Sequence, residues 1–405
     1  MSDTLTQAIA AQPEQHLSKT VLAVLASLAA LGALSTNIIL PSFPAMGAEL
    51  GMSSRDMGLT LSYFFIAFAL GQLLVGPLSD RWGRKKLVIG GLLVFSLGSV
   101  LCAYADSLNT LLAGRVVQAL GVCSASVLSR AIARDLFEGE ALARTLALIM
   151  VAMAAAPGFS PLLGSASDSL LGWRATFTIV GLLGIVAALA YASRVGETHA
   201  IERRQAVSAL AMIGQYISLL RDTRFTRPAL AVSLIVGALY AFFGAAPAVL
   251  MVGMGLTALE LGLLFAGTVV VVFASGLLAP RLARRWGPSR VAAAGIVLAL
   301  LGGTAVYLAQ DHNLPLFTLA LTVFLAGMGT VNPLGTALTL QPFGQQAGAA
   351  SALLGFLQMS CAALGTWLTS VVPLPAAATL GLTLACFSLL ALLTFSFARK
   401  AAPSA

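Results

Sequence analysis

The chain has 405 residues, of which 59% are hydrophobic and only 9% are charged, and its mean hydropathy is +0.94. This composition excludes an ordinary water-soluble globular protein, because about 25% of the residues in that class are charged. The formal net charge of +8 does not indicate a nucleic-acid partner, because the basic residues are spread over alternate loops and are not gathered in one domain.

Apolar stretches long enough to cross a bilayer follow one another along the whole chain. A hydrocarbon core of about 30 Å needs roughly 20 apolar residues in a helix. The predicted spans cover residues 20–43, 57–78, 86–105, 109–132, 141–165, 174–194, 227–251, 258–280, 290–310, 315–340, 348–371 and 376–398. The expected fold is an all-α membrane protein, with twelve transmembrane helices in two pseudo-symmetric six-helix bundles.

The longest polar interval, from Arg194 to Arg227, separates the sixth span from the seventh. If the N-terminus is cytoplasmic, all but three of the 23 Lys and Arg residues fall in non-translocated segments or the adjoining helix ends, the exceptions being Arg55, Arg115 and Arg174. This is a positive-inside distribution and predicts that both termini are cytoplasmic. The predicted units are an N-terminal tail at 1–19, a bundle at 20–194, a cytoplasmic linker at 195–226, a second bundle at 227–398 and a C-terminal tail at 399–405.

The loop between the second and third spans has a degenerate copy in the second half. The tripeptide Arg81-Trp82-Gly83 returns 204 residues later as Arg285-Trp286-Gly287, with Arg284 in the position of Asp80. Glycine allows a tight reversal of the chain, and a carboxylate can accept hydrogen bonds from an arginine or a helix end. We therefore predict a parallel tandem repeat, with an Asp80 latch between the domains that only the first half retains. The alternative is an ordinary basic loop that only sets topology.

The run from Gly76 to Lys86 resembles the loop signature of the major facilitator superfamily, Gly-x-Leu-x-Asp-Arg-x-Gly-Arg-Lys/Arg, and the resemblance covers nearly the whole chain. Further stretches are similar to its twelve-span drug:proton antiporters of the Bcr/CflA type, which are associated with bicyclomycin and chloramphenicol resistance. They are Gly71-Gln72 through Asp80, Arg115-x-x-Gln118-x-x-Gly121, Arg130 to Leu136, Pro157 to Ser165 and Gly172 to Phe177. The resemblance implies a multi-pass efflux transporter of the bacterial inner membrane that works by alternating access on small amphiphilic drug-like compounds.

Residues for gating or coupling follow from these motifs. They are Asp80, Arg81, Gly83, Arg84, Arg115, Asp135, Pro157, Pro161 and Gly164. Small residues and prolines in the fifth span allow close approach between helices that move past each other, although Gly and Pro are also common in membrane helices generally. A guanidinium within a span costs at least about 2.5 kcal/mol. Arg115 should therefore face a cavity or a partner, unless the span is shifted and Arg115 lies at its end.

None of the fifteen acidic residues falls in the middle of a predicted span. Members of the Bcr/CflA type carry an aspartate in the first span, where this chain has Asn37 before Ile38-Ile39-Leu40-Pro41. Asparagine does not exchange protons near neutral pH. Two hypotheses stay open. One is proton-coupled antiport, with Asp80 or Asp135 as the substitute acid; the other is a facilitator or exchanger for a small metabolite or metallophore, not proton-coupled through the first helix.

The candidate substrate-binding residues are Asn37, Tyr63, Arg115, Gln118, Tyr240, Phe243, Asn332 and Gln358. The aromatic residues can wall an apolar pocket, or they can contact lipid and neighbouring helices. The pair Asn332-Pro333 predicts a break in the tenth span that frees backbone carbonyls. No motif indicates an enzyme, a cofactor or a metal site. The expected partners are a small-molecule substrate, protons as the coupling ion and membrane lipid, with the protein a monomer that binds no nucleic acid.

Overall fold

A computed structural model describes residues 19–200, 202, 209–309 and 313–400, a part of the chain that is helical and has no strand. Most of the predicted tails at 1–19 and 399–405, and residues 201 and 203–208 of the predicted linker, lie outside the described residues. The α-helices are α1 Lys19–Asn37, α2 Phe43–Leu50, α3 Leu59–Trp82, α4 Arg84–Ala103, α5 Leu108–Leu136, α6 Gly139–Leu171, α7 Trp173–Arg194, α8 Ala209–Arg221, α9 Thr223–Ala246, α10 Ala258–Trp286, α11 Pro288–Ala309, α12 Leu314–Leu340, α13 Ala347–Val371 and α14 Ala376–Lys400. Short 3-10 helices at Leu40–Ser42, Asp56–Gly58 and Gln341–Gln346 and a π-helix at Pro247–Gly253 complete the connections.

Eleven segments of the described chain are long and apolar enough to cross a membrane. One of them, Leu314–Val371, has 58 residues, and a single helix of that length would extend about 87 Å, far beyond a bilayer. It contains two helices, α12 and α13, of 27 and 25 residues. They are separated by Gln341–Gln346, where Phe343 leaves the helical conformation with φ −114° and ψ 34°. The described chain therefore has the twelve helical crossings that the sequence predicts.

The crossings alternate in direction, so that the loops fall on two sides. We call the side with Lys19 and the interdomain helix α8 the linker side, and the other side the opposite side. Within the first half, α1 packs on α6, α3 on α5, and α4 on α5 and α7; within the second half, α9 packs on α13, α10 on α12, and α11 on α12 and α14. The halves meet where α3 packs on α13 and where α6 packs on α10. Every pair in one half has its counterpart in the other, as a tandem repeat requires.

The repeated loop has the same backbone conformation in both halves. Gly83 ends α3 with φ 92° and ψ 157°, and Gly287 ends α10 with φ 84° and ψ 142°. These left-handed φ values favour glycine, because a Cβ atom is strained there. The tryptophans before the two glycines are about half exposed, Trp82 at 48% and Trp286 at 51%.

The spacing of 204 residues also relates two glycines at which helices touch through their backbones. A Cβ atom on Gly98 of α4 would lie 2.7 Å from the Cα atom of Gln118, and one on Gly302 of α11 would lie 2.7 Å from the Cα atom of Phe324. Small residues bring membrane helices this close, which strengthens van der Waals packing between them. The third span of each half is thereby fixed against the fourth.

The predicted break at Asn332-Pro333 is wrong. Helix α12 continues through Pro333 to Leu340, and the irregular segment comes only afterwards. Proline removes a single backbone donor, and neighbouring helices allow a membrane helix to tolerate that loss. Asn332 is half-buried inside a continuous helix.

We expect Gly98→Ala to lower the free energy of unfolding by about 1–3 kcal/mol, the usual cost of overpacking. Gly90→Ala is the matched control in the same helix, because a Cβ atom at Gly90 meets no atom within 4 Å. The control should be neutral or slightly stabilising, since alanine is favoured over glycine in helices by about 1 kcal/mol. Unfolding in mixed detergent micelles, followed by tryptophan fluorescence, measures both; equal effects would contradict the close contact at Gly98.

Candidate functional site

Arg55, in the turn before α3, joins the two halves on the opposite side. Its guanidinium donates to four oxygen atoms around the connection from α13 to α14: the backbone oxygens of Thr369 at 2.9 Å, Leu374 at 2.7 Å and Val372, and the hydroxyl of Thr379 in α14 at 3.2 Å. The last carbonyls of a helix have no partner within it, and a positive charge is favourable at that end. Arg55 therefore caps α13 from the other half of the protein.

Two further contacts hold the halves together in the opposite-side part of the interface. The hydroxyls of Ser62 in α3 and Thr366 in α13 form a hydrogen bond of 2.8 Å. Between α6 and α10, a Cβ atom on Gly158 would lie 3.0 Å from the Cβ atom of Val269. The helix surfaces are in direct contact at both places, and the opposite side is closed.

The motif residues of α6 lie at this contact and beside it. Pro157 is half-buried, and Pro161 is buried one turn further along the helix. Gly164 faces the first half, where a Cβ atom would collide with the carbonyl oxygen of Ile38 just after α1. The fifth span is thus packed closely on α1 on one side and on α10 on the other.

Arg115, in α5, is fully buried. Its Nη1 atom donates to the carbonyl oxygen of Ser35 at 3.2 Å and to the side-chain oxygen of Gln118. The guanidinium lies over the ring of Phe64, 4.4 Å from the ring centre. The Gln118 side chain in turn donates to the hydroxyl of Ser99 at 2.8 Å. This chain of hydrogen bonds fixes the position and orientation of the guanidinium.

Seven rings form an aromatic cluster that crosses the interface: Phe64, Phe65, Phe68, Tyr240, Phe242, Phe243 and Phe265. The contact between the halves is made by Phe65 and Tyr240, whose ring centres are 4.6 Å apart. Tyr240 also meets Phe243 edge-on at 5.6 Å. In this conformation the rings fill the interface on the opposite side, next to Arg115, and pack on one another.

The other predicted binding residues lie apart from this cluster or make local contacts. Asn37 is buried at the end of α1, where its side-chain nitrogen donates to the carbonyl oxygen of Ala33 at 2.8 Å and to the hydroxyl of Thr36 at 3.0 Å. Tyr63 is 45% exposed, although its neighbour Phe64 is buried. Asn332 and Gln358 are half-buried in α12 and α13. Arg115, Gln118, Tyr240 and Phe243 are the predicted binding residues that come together.

On the linker side, Arg84 at the start of α4 binds two carboxylates. It lies 2.6 Å from Asp80 of α3 and 3.2 Å from Asp135 of α5, and it also donates to the hydroxyl of Ser79. All four residues belong to the first half. The Asp80 ion pair thus joins three helices of one bundle in this conformation, whereas Arg81 is exposed beside it.

Glu197, just after α7, adds a third carboxylate to this group. It accepts hydrogen bonds from the backbone nitrogens of Arg84 at 2.9 Å and Lys85 at 3.4 Å, the first residues of α4. A carboxylate at a helix N-terminus satisfies free N–H groups and is favoured by the helix dipole. Sequence motifs did not single out Glu197, since its partners are more than 110 positions away.

Helix α8 of the interdomain segment is bonded to α3. The hydroxyl of Tyr216 donates to the carbonyl oxygen of Leu73 at 3.1 Å. In a regular helix that carbonyl would accept from the residue four positions later, which here is Pro77, and proline has no N–H. Burial raises the pKa of the Tyr216 hydroxyl above its ordinary value. Tyr216 therefore replaces the hydrogen bond that Pro77 removes.

Arg55 and Tyr216 were not predicted as functional residues, although the sequence contained a signal for each. Arg55 was one of three basic residues outside the positive-inside pattern, and Pro77 within a span predicts an unpaired carbonyl four residues earlier. The partners themselves could not be predicted, because the contacts join positions 143 residues apart in one case and more than 310 in the other.

Two related six-helix units that meet along one interface, with polar and aromatic side chains gathered there, define a membrane transporter built from internal repeats. The chain belongs to the Major Facilitator Superfamily, whose sequence profile matches residues 25–366. This is a family of transporters and not of enzymes.

Relatives of similar length support this assignment. The chain is 32% identical over 342 residues to the uncharacterized MFS-type transporter YdgK of Bacillus subtilis (strain 168), covering 83% of this chain and 85% of that protein. It is 29% identical over 364 residues to a chloramphenicol resistance protein of Pseudomonas aeruginosa, covering 88% and 85%. A solved bacterial homologue of the human lysosomal transporter Spinster, inward-facing and unoccupied, has the same fold, with a TM-score of 0.76, 16% identity and coverage of 95% and 98%.

We expect Arg84→Gln to lower the free energy of unfolding by about 2–3 kcal/mol, because two carboxylates lose their common partner while Asp80 stays open to water. The matched control is Arg144→Gln. Arg144 also forms an i,i+4 ion pair of 2.6 Å, with Glu140, but those side chains are 68% and 79% exposed. The control should change stability by less than about 0.5 kcal/mol. Unfolding in mixed micelles measures both, and a neutral Arg84→Gln would contradict the role of the ion pairs.

Proposed function

We propose that the protein is a secondary efflux transporter of the bacterial inner membrane, which exports small amphiphilic drug-like compounds by alternating access. The observation that carries this proposal is the interface between the halves, where Arg55, Ser62 and the aromatic cluster hold the opposite side closed. A contact made of hydrogen bonds and ring packing can open as a unit, and repeat transporters work by moving one bundle against the other. Relatives named as chloramphenicol and multidrug resistance proteins support the substrate class.

Orientation follows from charge in this proposal. The linker side holds the basic loops, among them Arg84, Lys85 and Lys86, and the positive-inside rule makes that side cytoplasmic. Both termini are then cytoplasmic, and the closed side faces the periplasm.

Antiport against protons is the proposed driving reaction, with Asp80 and Asp135 as the candidate acids. Both carboxylates are engaged by Arg84, so proton uptake there would loosen the α3–α4–α5 group. A facilitator or exchanger is the second candidate, and the observation in its favour is Asn37. Its side chain is buried and bonded to its own helix, and it cannot carry a proton at the position of the usual acid.

Transport by purified protein in liposomes tests the function. Ethidium, labelled chloramphenicol and fluorescein supply one cationic, one neutral and one anionic amphiphile, and protein-free liposomes are the control. We expect at least one compound to move faster with an imposed proton gradient, with protons moving in the opposite direction. A transport rate that does not depend on the proton gradient would favour the facilitator. Transport of none of the three compounds would contradict the proposal.

The companion variant is Asn37→Asp, which restores the acid at the end of α1. A carboxylate there can take up and release a proton, and desolvation brings its titration closer to neutral pH. We expect a steeper dependence of transport on the proton gradient than in the wild type, measured in the same liposomes. An unchanged dependence would show that coupling does not pass through this position.

Arg55→Gln should weaken the closed state on the opposite side. Hydrogen bonds to a charged group contribute about 1.5–3 kcal/mol each. The loss of one of the four bonds alone corresponds to roughly 2 kcal/mol, or about a 30-fold rise in the ratio of open to closed molecules, and we expect at least that change. Spin labels at positions 52 and 374, on the two halves, report the change as longer distances.

Arg174→Gln is the matched control for this variant. Arg174 also lies on the opposite side and binds Glu49 and the carbonyl oxygen of Ala105, but all three residues belong to the first half. Its loss should leave the distance between labels unchanged. Opening by both variants, or by neither, would contradict the role of Arg55 between the halves.

A further inference from the structure

Only part of the Arg115 guanidinium has hydrogen-bond partners. Nη1 is bonded to Ser35 and Gln118, whereas Nε and Nη2 are buried and have no hydrogen-bond partner among the described residues. Buried polar groups are nearly always paired, and each exception needs an explanation. The unpaired atoms of Arg115 are the strongest such case in the described chain, because they belong to a full charge.

The two unpaired nitrogens, Nε and Nη2, lie on the same edge of the planar guanidinium. Their N–H bonds point in parallel, and this edge matches the two oxygen atoms of a carboxylate, to which arginine binds in a bidentate manner. The bonds of Nη1 to Ser35 and Gln118 hold the plane in place. The edge is therefore oriented for a ligand with two oxygens on one planar centre.

The described chain supplies no such ligand. No acidic side chain of the described residues forms an ion pair with Arg115, and the one titratable group interacting with it is the Cys102 thiol. Among the described residues, no second cation interacts with Arg115. One positive charge without a counter-charge suits a monoanion better than a doubly charged phosphate.

The aromatic residues beside Arg115 indicate the chemical character of the rest of the ligand. The ring of Phe64 lies against the guanidinium, and Phe65 next to it touches Tyr240 across the interface. When the halves separate on the opposite side, Phe65 and Tyr240 part, and the rings beside Arg115 become the wall of a cavity. An apolar body would pack on these rings while its charged end reaches the arginine.

We propose that the unpaired edge of Arg115 binds the carboxylate of an amphiphilic organic acid, and that singly charged carboxylates are the preferred substrates. This inference rests on the proposed transport function and names its substrate class. Arg115 is a binding residue in this scheme, and Gln118 positions it.

Binding of a fluorescent acid and its neutral analogue tests the proposal. The probes are dansylglycine, a carboxylate, and dansylglycinamide, which has the same body and no charge. Each probe is titrated into the purified wild-type protein and into the Arg55→Gln variant. In that variant we expect the opposite side to be open in a larger fraction of molecules. We expect the acid to bind at least about tenfold more tightly than the amide, as charge-assisted bidentate hydrogen bonds predict. Equal affinities in both proteins would overturn the proposal.

Substitutions at the arginine separate charge from geometry. Arg115→Lys keeps the charge but loses the two parallel N–H groups, and we expect it to reduce the ratio of acid to amide affinity to a few-fold. Arg115→Gln should abolish the preference for the acid. Arg144→Gln, a change at an exposed arginine, is the control and should keep the full preference. A preference that persists in Arg115→Gln would also overturn the proposal. The wild-type comparison decides the matter if a variant does not fold.

The transport assay distinguishes this inference from the function on which it rests. If any of the three amphiphiles is transported while the acid and the amide bind equally, the carboxylate preference is wrong and the transporter function stands. If none of them moves, the function itself fails.

Discussion

Every polar group inside a membrane needs a partner, and the residues that supply partners to otherwise unpaired groups connect the parts of this protein. The carbonyl oxygen of Thr369, in the last turn of α13, accepts a hydrogen bond from Arg55, which belongs to the other half. The free N–H groups at the start of α4 are capped by Glu197. These bonds are part-buried, and an unpaired polar group that is shielded from water costs several kcal/mol. Long-range contacts between helices are consequently made at helix ends.

The three basic residues outside the positive-inside pattern illustrate the same constraint. Arg55 crosses between the halves, Arg174 joins helix ends within the first half, and Arg115 is enclosed in it. A basic residue on the translocated side is disfavoured during insertion. Each of these three arginines has a specific set of partners in the folded protein. The basic residues that depart from the positive-inside rule therefore mark structural and functional positions better than the many that obey it.

Sequence reasoning succeeded where the physics is local or periodic. Length and hydropathy define the spans, and the repeated Arg-Trp-Gly tripeptide predicts two loops that share one backbone conformation at Gly83 and Gly287. It failed where the outcome depends on the neighbouring helix: Pro333 does not interrupt α12, and Asp80 pairs within one bundle in this conformation. The cost of a charge within a span predicted that Arg115 faces a cavity or a partner. Its two unpaired nitrogens were not predicted, because they depend on the orientation of a single side chain.

The bond between Tyr216 and Leu73 changes the character of the segment between the halves. A chain that only tethers two bodies contributes through its length and stiffness. Here the tether is docked on the helix that ends in the Asp80 loop, at the place where Pro77 leaves an acceptor open. Any rotation or bending of α3 about that proline must either carry α8 along or release it. Because α8 also packs on α9 and α13 of the second half, the acceptor that the proline leaves open makes the connecting segment a further contact between the two bundles on the linker side.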